Sequence, residues 1–429
     1  MTDLNRSRLL NQVWDYPLFE ALYGRRSRRF GCGFEITEGP FRYKSEQPPV
    51  PLSEFEEALL VAAGIGITGI PLWDGSRPPA YRSGDGRTFG STVHGRRTAL
   101  FFTNDSGTYA IGPAAATGAK LRAVQTRDDR ASVLELYQSR KQLGAQRLTI
   151  PRHSPPLFGH NMWDNNMPGT TLFMPVCDVS AALISLLLML VDCDHGRYVR
   201  GHGGGMNVVD DRHGGRPAGT ERWIESGLID KAKILPLSIL ERQACYFMFS
   251  EPAVICHNMH LATEAIGLGG WMHCGFLSLG IMQALGFRTA DPVGAGSFPN
   301  PVGFDGVIEG CCPPYFPNMD AAVDAVAARM QRKDGDLPKS SGPTAHKMPL
   351  DDYRRGNIET SDEGIACTKA VCNYIYETYG RFPASVDAMH MMWFMQAHHL
   401  DLEYYAKYFH AEGLSETHRT HMAKWHGGS

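Results

Sequence analysis

Five consecutive residues, Arg25-Arg26-Ser27-Arg28-Arg29, bring four guanidiniums and a hydroxyl to one point of the chain. A guanidinium presents paired donors that match phosphate oxygens, so this run is a ready anion clamp, and a solvated basic surface is its bland alternative. A small-residue turn at 62–69, AAGIGITG, lets backbone approach a flat ligand closely, or simply ends a helix. A third stretch, 264–276, reads EAIGLGGWMHCGF, where a small-residue helix end runs into glycine-rich extended chain whose N–H groups can face a heterocycle. His273 and Cys274, at its end, are the candidate proton donor and thiol. The long loop 150–170 adds His160, Asn161, Trp163, Asp164 and Asn165, an aromatic platform with amides and an imidazole suited to stacking on a flat polar substrate. A loop packed on its own aromatics is the equal alternative.

Other motifs are set aside. Gly64-Ile65-Gly66-Ile67-Thr68-Gly69 has GxGxxG spacing but follows a capped helix, whereas the dinucleotide fingerprint follows a strand. His202-Gly203-Gly204-Gly205 resembles an esterase oxyanion loop, yet no GxSxG elbow accompanies it. The tail carries His390, His398, His399, His410, His418, His421 and His426 without HExxH or a recognised zinc spacing. It reads as a histidine-rich helical surface, no metal ligand is assigned, and a metalloenzyme built on the tail stays as an alternative.

The order and spacing of the three segments resemble the nitroreductase-like FMN enzymes. Their Arg-x-Ser-x-Arg element matches Arg25, Ser27 and Arg29, with Arg26 beside them, and the resemblance implies that these hold the FMN phosphate and ribityl chain. The AxGLG turn matches Ala265, Gly267, Leu268 and Gly269, and Gly275 matches the glycine whose N–H faces flavin N5. The helix with Glu57, Ala58, Leu59, Leu60, Ala63 and Gly64 is similar to the family's second element. The serine- and asparagine-rich segment that follows it there is Ile67-Thr68-Gly69-Ile70-Pro71 here, which puts Thr68 and Gly69 on the cofactor side. The implied fold is α+β, an antiparallel central sheet flanked by helices, with FMN at a homodimer interface. The implied activity passes electrons from NAD(P)H or another donor to a small oxidised substrate such as a nitroaromatic, quinone or activated alkene. Rival readings are an oxidase or desaturase using oxygen, and a binding module that has lost the cofactor.

The elements that must position these residues are partly visible. A helix within 17–30 ends at the basic cluster, and Ser53 with Glu56 forms a capping box for a helix through Ala63. The run from Arg96 reads as strand, turn at 104–107 and strand, followed by a helix near 132–142. Residues 178–191 form an apolar helix too short to span a bilayer, and a glycine-rich, histidine-containing loop follows at 195–220. Pro252 suits the first turn of a helix over 252–266. Another helix begins near Asp320. Residues 1–330 are expected to form the flavin-binding domain, 331–350 a polar linker, and 351–429 a helical extension with helices near 363–379 and 396–409. Helices are expected to carry much of the core, with few strands.

The chain has 429 residues, 43% hydrophobic and 20% charged, enough for a sizeable core. A net charge of −3 argues against nucleic-acid or anionic-membrane partners. No apolar run opens the sequence, so a cytoplasmic protein with mostly reduced, buried cysteines is expected.

Overall fold

The computed structural model describes residues 3–69, 86–91, 97–113, 130–154, 156–192, 204–290, 299–330 and 360–427. The linker 331–350 and the first part of the glycine-rich loop, including His202 and Gly203, lie outside them.

The fold is α+β, and strands are more numerous than the sequence suggests. A seven-stranded antiparallel sheet organises it. In chain order its strands are β1 (Thr98–Asn104), β2 (Gly107–Ile111), β3 (Lys141–Gly144), β4 (Thr171–Asp178), β5 (Gly269–His273), β6 (Met389–His390) and β7 (Phe394–His398). They lie in the order β5-β7-β4-β1-β2-β3, with β6 also pairing β4. The β1–β2 hairpin closes where Asn104 faces Gly107, and the Asn104 side-chain oxygen accepts the Ser106 N–H at 2.9 Å. That Asx turn is the local signal behind the hairpin.

Alternate residues of the sheet serve two cores, as the pleat requires. Leu100, Phe102, Phe173 and Met395 face the Glu54–Ile65 helix and the Leu237–Ile266 helix. Phe101, Leu172, Met174 and Phe394 face the Ser278–Leu285 helix. A third core surrounds the Val179–Val191 helix, apolar on every side and buried accordingly. Its cap is Asp178, which accepts the Ala181 N–H at 2.9 Å and pairs with Arg97 at 2.8 Å. No helix among the described residues is long and apolar enough to cross a membrane.

Three expectations are corrected, the first being the loop at 195–220, whose described part contains the largely buried strand Gly205–Asp210 paired with Arg216–Pro217. Pro252 lies inside a thirty-residue helix, Leu237–Ile266, rather than in its first turn. Residues 396–409 are not one helix: β7 comes first, and Leu402–Tyr408 is helical after it. β7 sits between β5 and β4, so every residue of it is buried. Burial against two neighbouring strands imposes the extended state on a Met- and His-rich segment whose own composition reads as helical. The tail also explains Pro175 in the middle of β4. β7 pairs with Thr171 to Phe173 and β6 with Cys177 and Asp178, leaving the ladder interrupted opposite the residue that has no N–H to give.

Glu57, on the predicted second element, is buried and works as a structural knot. Its carboxylate accepts from Asn104 Nδ2 at 2.8 Å, Thr171 Oγ1 at 2.5 Å and the Tyr137 hydroxyl, joining its helix to two strands and the Arg130–Gln138 helix.

Candidate functional site

Three distant segments meet at one edge of the sheet. The basic run follows the Leu18–Gly24 helix, and Arg28 pairs through its backbone with Gly270 of β5. Gly31 then bridges Leu400, and a Cβ there would stand 2.7 Å from the His398 ring, so a glycine is required for this approach. Gly269 is equally tight: a Cβ would meet His398 Nε2 at 2.7 Å.

The chain makes a tight turn at Ser27, where the Arg28 N–H donates to the Arg26 carbonyl at 3.0 Å, and the four guanidiniums do not form one clamp. Arg28 turns inward and is 5% exposed, its Nη1 2.6 Å from Glu264 Oε1 and its Nε donating to the Gly413 carbonyl at 2.8 Å. Arg29 turns toward the loop. It grips Asp164 through Nε at 2.6 Å and Nη2 at 2.9 Å and reaches Asn161 Oδ1 at 3.0 Å. Its guanidinium also lies 4.0 Å from the Trp271 ring centre and 5.2 Å from that of Trp163. Burial lifts the Asp164 carboxyl, and the Arg29 guanidinium opposes that shift. Only Arg25, Arg26 and Ser27 are left near the surface for an anion, the first half-buried and the others exposed.

The late glycine-rich stretch brings its aromatic face to the same place. Trp271 and His273 point to one side of β5 and stack with ring centres 3.9 Å apart. The Gly275 N–H, expected to face a ligand, instead donates to His273 Nδ1 at 3.1 Å. A neutral ring that accepts at Nδ1 carries its proton on Nε2, which lies 3.2 Å from the side-chain amide of Asn165. Nδ2 is the amide atom placed there, and turning the amide over would present the otherwise unpartnered Oδ1 to that proton. Burial first, then Arg29, pulls the His273 pKa from 6.5 to about 3, so the ring is neutral at pH 7 and no imidazolium acid. Cys274 is the exposed cysteine among the described residues. A side chain at Gly275 would collide with Asn161, which is buried in the short turn Gly159–Asn161. His160 is exposed and stacks loosely on Phe158, with ring centres 6.3 Å apart.

Asn161, Trp163, Asp164, Arg29, His273 and Gly275 are thus assembled, while Thr68 and Gly69 are not in this cluster. They belong to the strand Ile67–Gly69, which pairs with Gly86–Arg87. The link between the two places is the Leu237–Ile266 helix. Its Asn258 donates to the Thr88 carbonyl at 2.9 Å, and on the same turn burial lowers the pKa of His257 and His260, with the Arg25 charge adding to the same direction.

Sequence reasoning missed Gln396. From β7 it donates to the Asp164 carbonyl at 2.8 Å and accepts the Asn166 N–H at 2.7 Å, fixing the loop backbone beneath Arg29. Only the strand register reveals it. Sequence also marks Glu56 solely as a cap partner, yet His399, His421 and His426 converge on it.

His260 gives a pH test of this environment. It is fully buried, with Nε2 3.1 Å from the Arg26 carbonyl, and burial pulls its pKa from 6.5 to about 4. The unfolded chain binds that proton below pH 6.5 and the folded chain does not until about pH 4. Stability therefore falls as pH drops through this window, by about 1.4 kcal/mol per unit at most. Denaturant titrations from pH 7 to 4 should show the wild type losing about 3 kcal/mol more than His260→Asn. Parallel curves would contradict this environment.

No family model matches the sequence, and no curated protein does. One solved structure, provisionally named a nitroreductase, from Ralstonia eutropha JMP134, aligns at 10% identity over 64% of this chain and 77% of that chain, with a TM-score of 0.30. A TM-score that low does not establish a shared fold.

Proposed function

We propose that this chain binds FMN and is a flavin-dependent oxidoreductase, passing electrons from NAD(P)H or another donor to a small oxidised organic acceptor. The observation that carries the reading is the backbone pairing of Arg28 with Gly270. It joins the two segments that the sequence resemblance assigns to opposite ends of one flavin, although they lie far apart in the chain.

The residues fit such a group in part. Trp271 Nε1 is a buried donor with no acceptor among the described residues, beside the glycine-rich stretch, and a bound heterocycle would supply one. Arg25, Arg26 and Ser27 would hold the phosphate, since Arg28 and Arg29 are committed to Glu264 and Asp164. FMN would supply the two-electron chemistry. The chain's part would be orientation. Arg29 holds Trp271 and Trp163 in place, and Asn161 lies against Gly275. Exposed His160 and Cys274 stand at the rim, where a substrate would enter. His273, neutral and bonded at both nitrogens, would hold the Gly275 turn rather than deliver a proton.

A homodimer and a cytoplasmic setting belong to the same reading. Leu18, Phe19, Leu22 and Tyr23 are all exposed on the short helix just before Arg25, an apolar face that a second copy would cover. The activity test is anaerobic mixing of flavin-loaded protein with NADH or NADPH, followed by a quinone or nitroaromatic. Bleaching of the flavin and its return on adding acceptor are expected. Flavin that nicotinamides leave oxidised, but that an organic substrate reduces with oxygen reoxidising it, would point to the oxidase instead.

A further inference from the structure

Beside the turn that carries Ile266 and Gly267, four side chains from three distant elements turn their ligand atoms toward one point. Glu56 sits in the first turn of the Glu54–Ile65 helix, His399 follows β7, and His421 and His426 lie on and just after the Glu416–Trp425 helix. Glu56 Oε1 is 2.8 Å from His421 Nε2, 2.9 Å from His426 Nε2 and 3.4 Å from His399 Nε2. All four ligand atoms lie within 4.8 Å of one another. In a tetrahedral zinc site with bonds of about 2.0–2.1 Å, ligand atoms stand about 3.3 Å apart, so the quartet is already near that size.

Proton counting separates an ion site from an ordinary hydrogen-bond cluster. His399 Nδ1 lies 2.9 Å from the Val50 carbonyl, and His421 Nδ1 lies 2.9 Å from the Ile266 carbonyl. A carbonyl only accepts, so both Nδ1 atoms carry hydrogen. Each neutral ring then aims a bare Nε2 lone pair at a carboxylate oxygen, which is repulsive unless something positive stands between them. Protonating one ring would satisfy one of these contacts as an imidazolium–carboxylate pair, but three rings converge on the single oxygen Glu56 Oε1, and a separate proton for each would bury three cations against one carboxylate where Glu56, His399 and His421 are at most 2% exposed. A divalent ion satisfies every lone pair at once. The surroundings match what metal ligands need: two rings have their tautomer fixed by backbone carbonyls, and Glu56 Oε2 is held by the Ser53 N–H at 2.6 Å.

We propose that Glu56, His399, His421 and His426 form a tetrahedral site for a divalent transition-metal ion, zinc by preference, which fastens the carboxy-terminal segment to the Glu54–Ile65 helix. A set of three imidazoles and one carboxylate, without thiolate, suits zinc. The four protein ligands fill the tetrahedron and leave no position for substrate, so the role is structural. The site is independent of the flavin reading, and either can fail alone.

The test is metal analysis of the full-length protein, purified from cells grown with added zinc. About one zinc per chain is expected, and cobalt in its place should give the intense visible bands of tetrahedral coordination. Glu56→Gln keeps the cap to Ser53, and His426→Gln alters the partly exposed rim, so both variants should fold. Each should lose at least tenfold in zinc affinity measured by chelator competition. A chelator should lower the melting temperature of the wild type and leave that of the variants unchanged. Wild-type protein with negligible first-row metal that also binds no zinc in equilibrium dialysis would overturn the proposal. So would variants that retain zinc as tightly as the wild type.

Discussion

Glu264→Ala is expected to destabilise the chain by about 3–5 kcal/mol, because it strands a guanidinium in the interior. Arg28 and Glu264 are 5% and 1% exposed and meet at 2.6 Å. Glu264 Oε1 also accepts the Arg26 N–H at 3.3 Å, and Arg28 donates to the carbonyls of Gly24 and Gly413. The pair thereby ties the basic run to the end of the long helix and to the tail. Arg28→Ala should cost a similar amount, since it leaves the carboxylate unpaired. Burial already lifts the Glu264 carboxyl against the pull of Arg28, so the lone carboxylate would take up a proton more readily. Removing both partners should cost clearly less than the sum of the single changes, because neither charge is then stranded. Chemical denaturation of the three variants measures this. Additive losses would mean that the two side chains do not act as a pair.

Arg29→Ala is the second large effect. Asp164 is fully buried, and Arg29 is its ion-pair partner in the structure, gripping both carboxylate oxygens. The variant should lose about 3–5 kcal/mol at pH 7. The sign of its pH dependence is informative. Burial raises the Asp164 pKa even with Arg29 present, and without it the rise is larger. The folded variant then binds a proton that the unfolded chain does not, so its deficit shrinks as pH falls from 7 toward the unfolded value of about 3.9. Asp164→Asn in the Arg29→Ala background should recover most of the loss at pH 7. A pH-independent deficit that Asp164→Asn cannot repair would show that Arg29 acts by packing on Trp271 and Trp163 rather than by charge. In the flavin reading, Arg25→Ala should weaken FMN binding with little loss of stability, which separates the two roles within one basic run.

Much of the local architecture was legible because its causes are local. The Ser53–Glu56 capping box, the hairpin closing at Asn104 and Gly107, and the buried helix Val179–Val191 each follow from a few adjacent residues. Sequence placed Arg29 with the phosphate and Asp164 of loop 150–170 with the substrate, and nothing in it pairs the two, as the structure does. Other features depend on partners far away in the chain. β7 is a strand because β4 and β5 flank it, not because of its own residues. Pro252 conceals the first half of its helix, since a proline ordinarily marks a helix start. Whether Arg28 or Arg29 turns inward depends on the register with Gly270, which the run RRSRR does not encode. The Glu56 quartet is the extreme case. Its ligands come from the two ends of the chain, so no spacing could announce it, and the capping role of Glu56 hid the second one.

The most direct measurement is the visible absorption spectrum of the purified protein, with any released chromophore identified by chromatography. A yellow protein that releases about one FMN per chain is the predicted result. A colourless protein that takes up no added FMN would contradict the central claim and leave the carboxylate–histidine site to be pursued on its own.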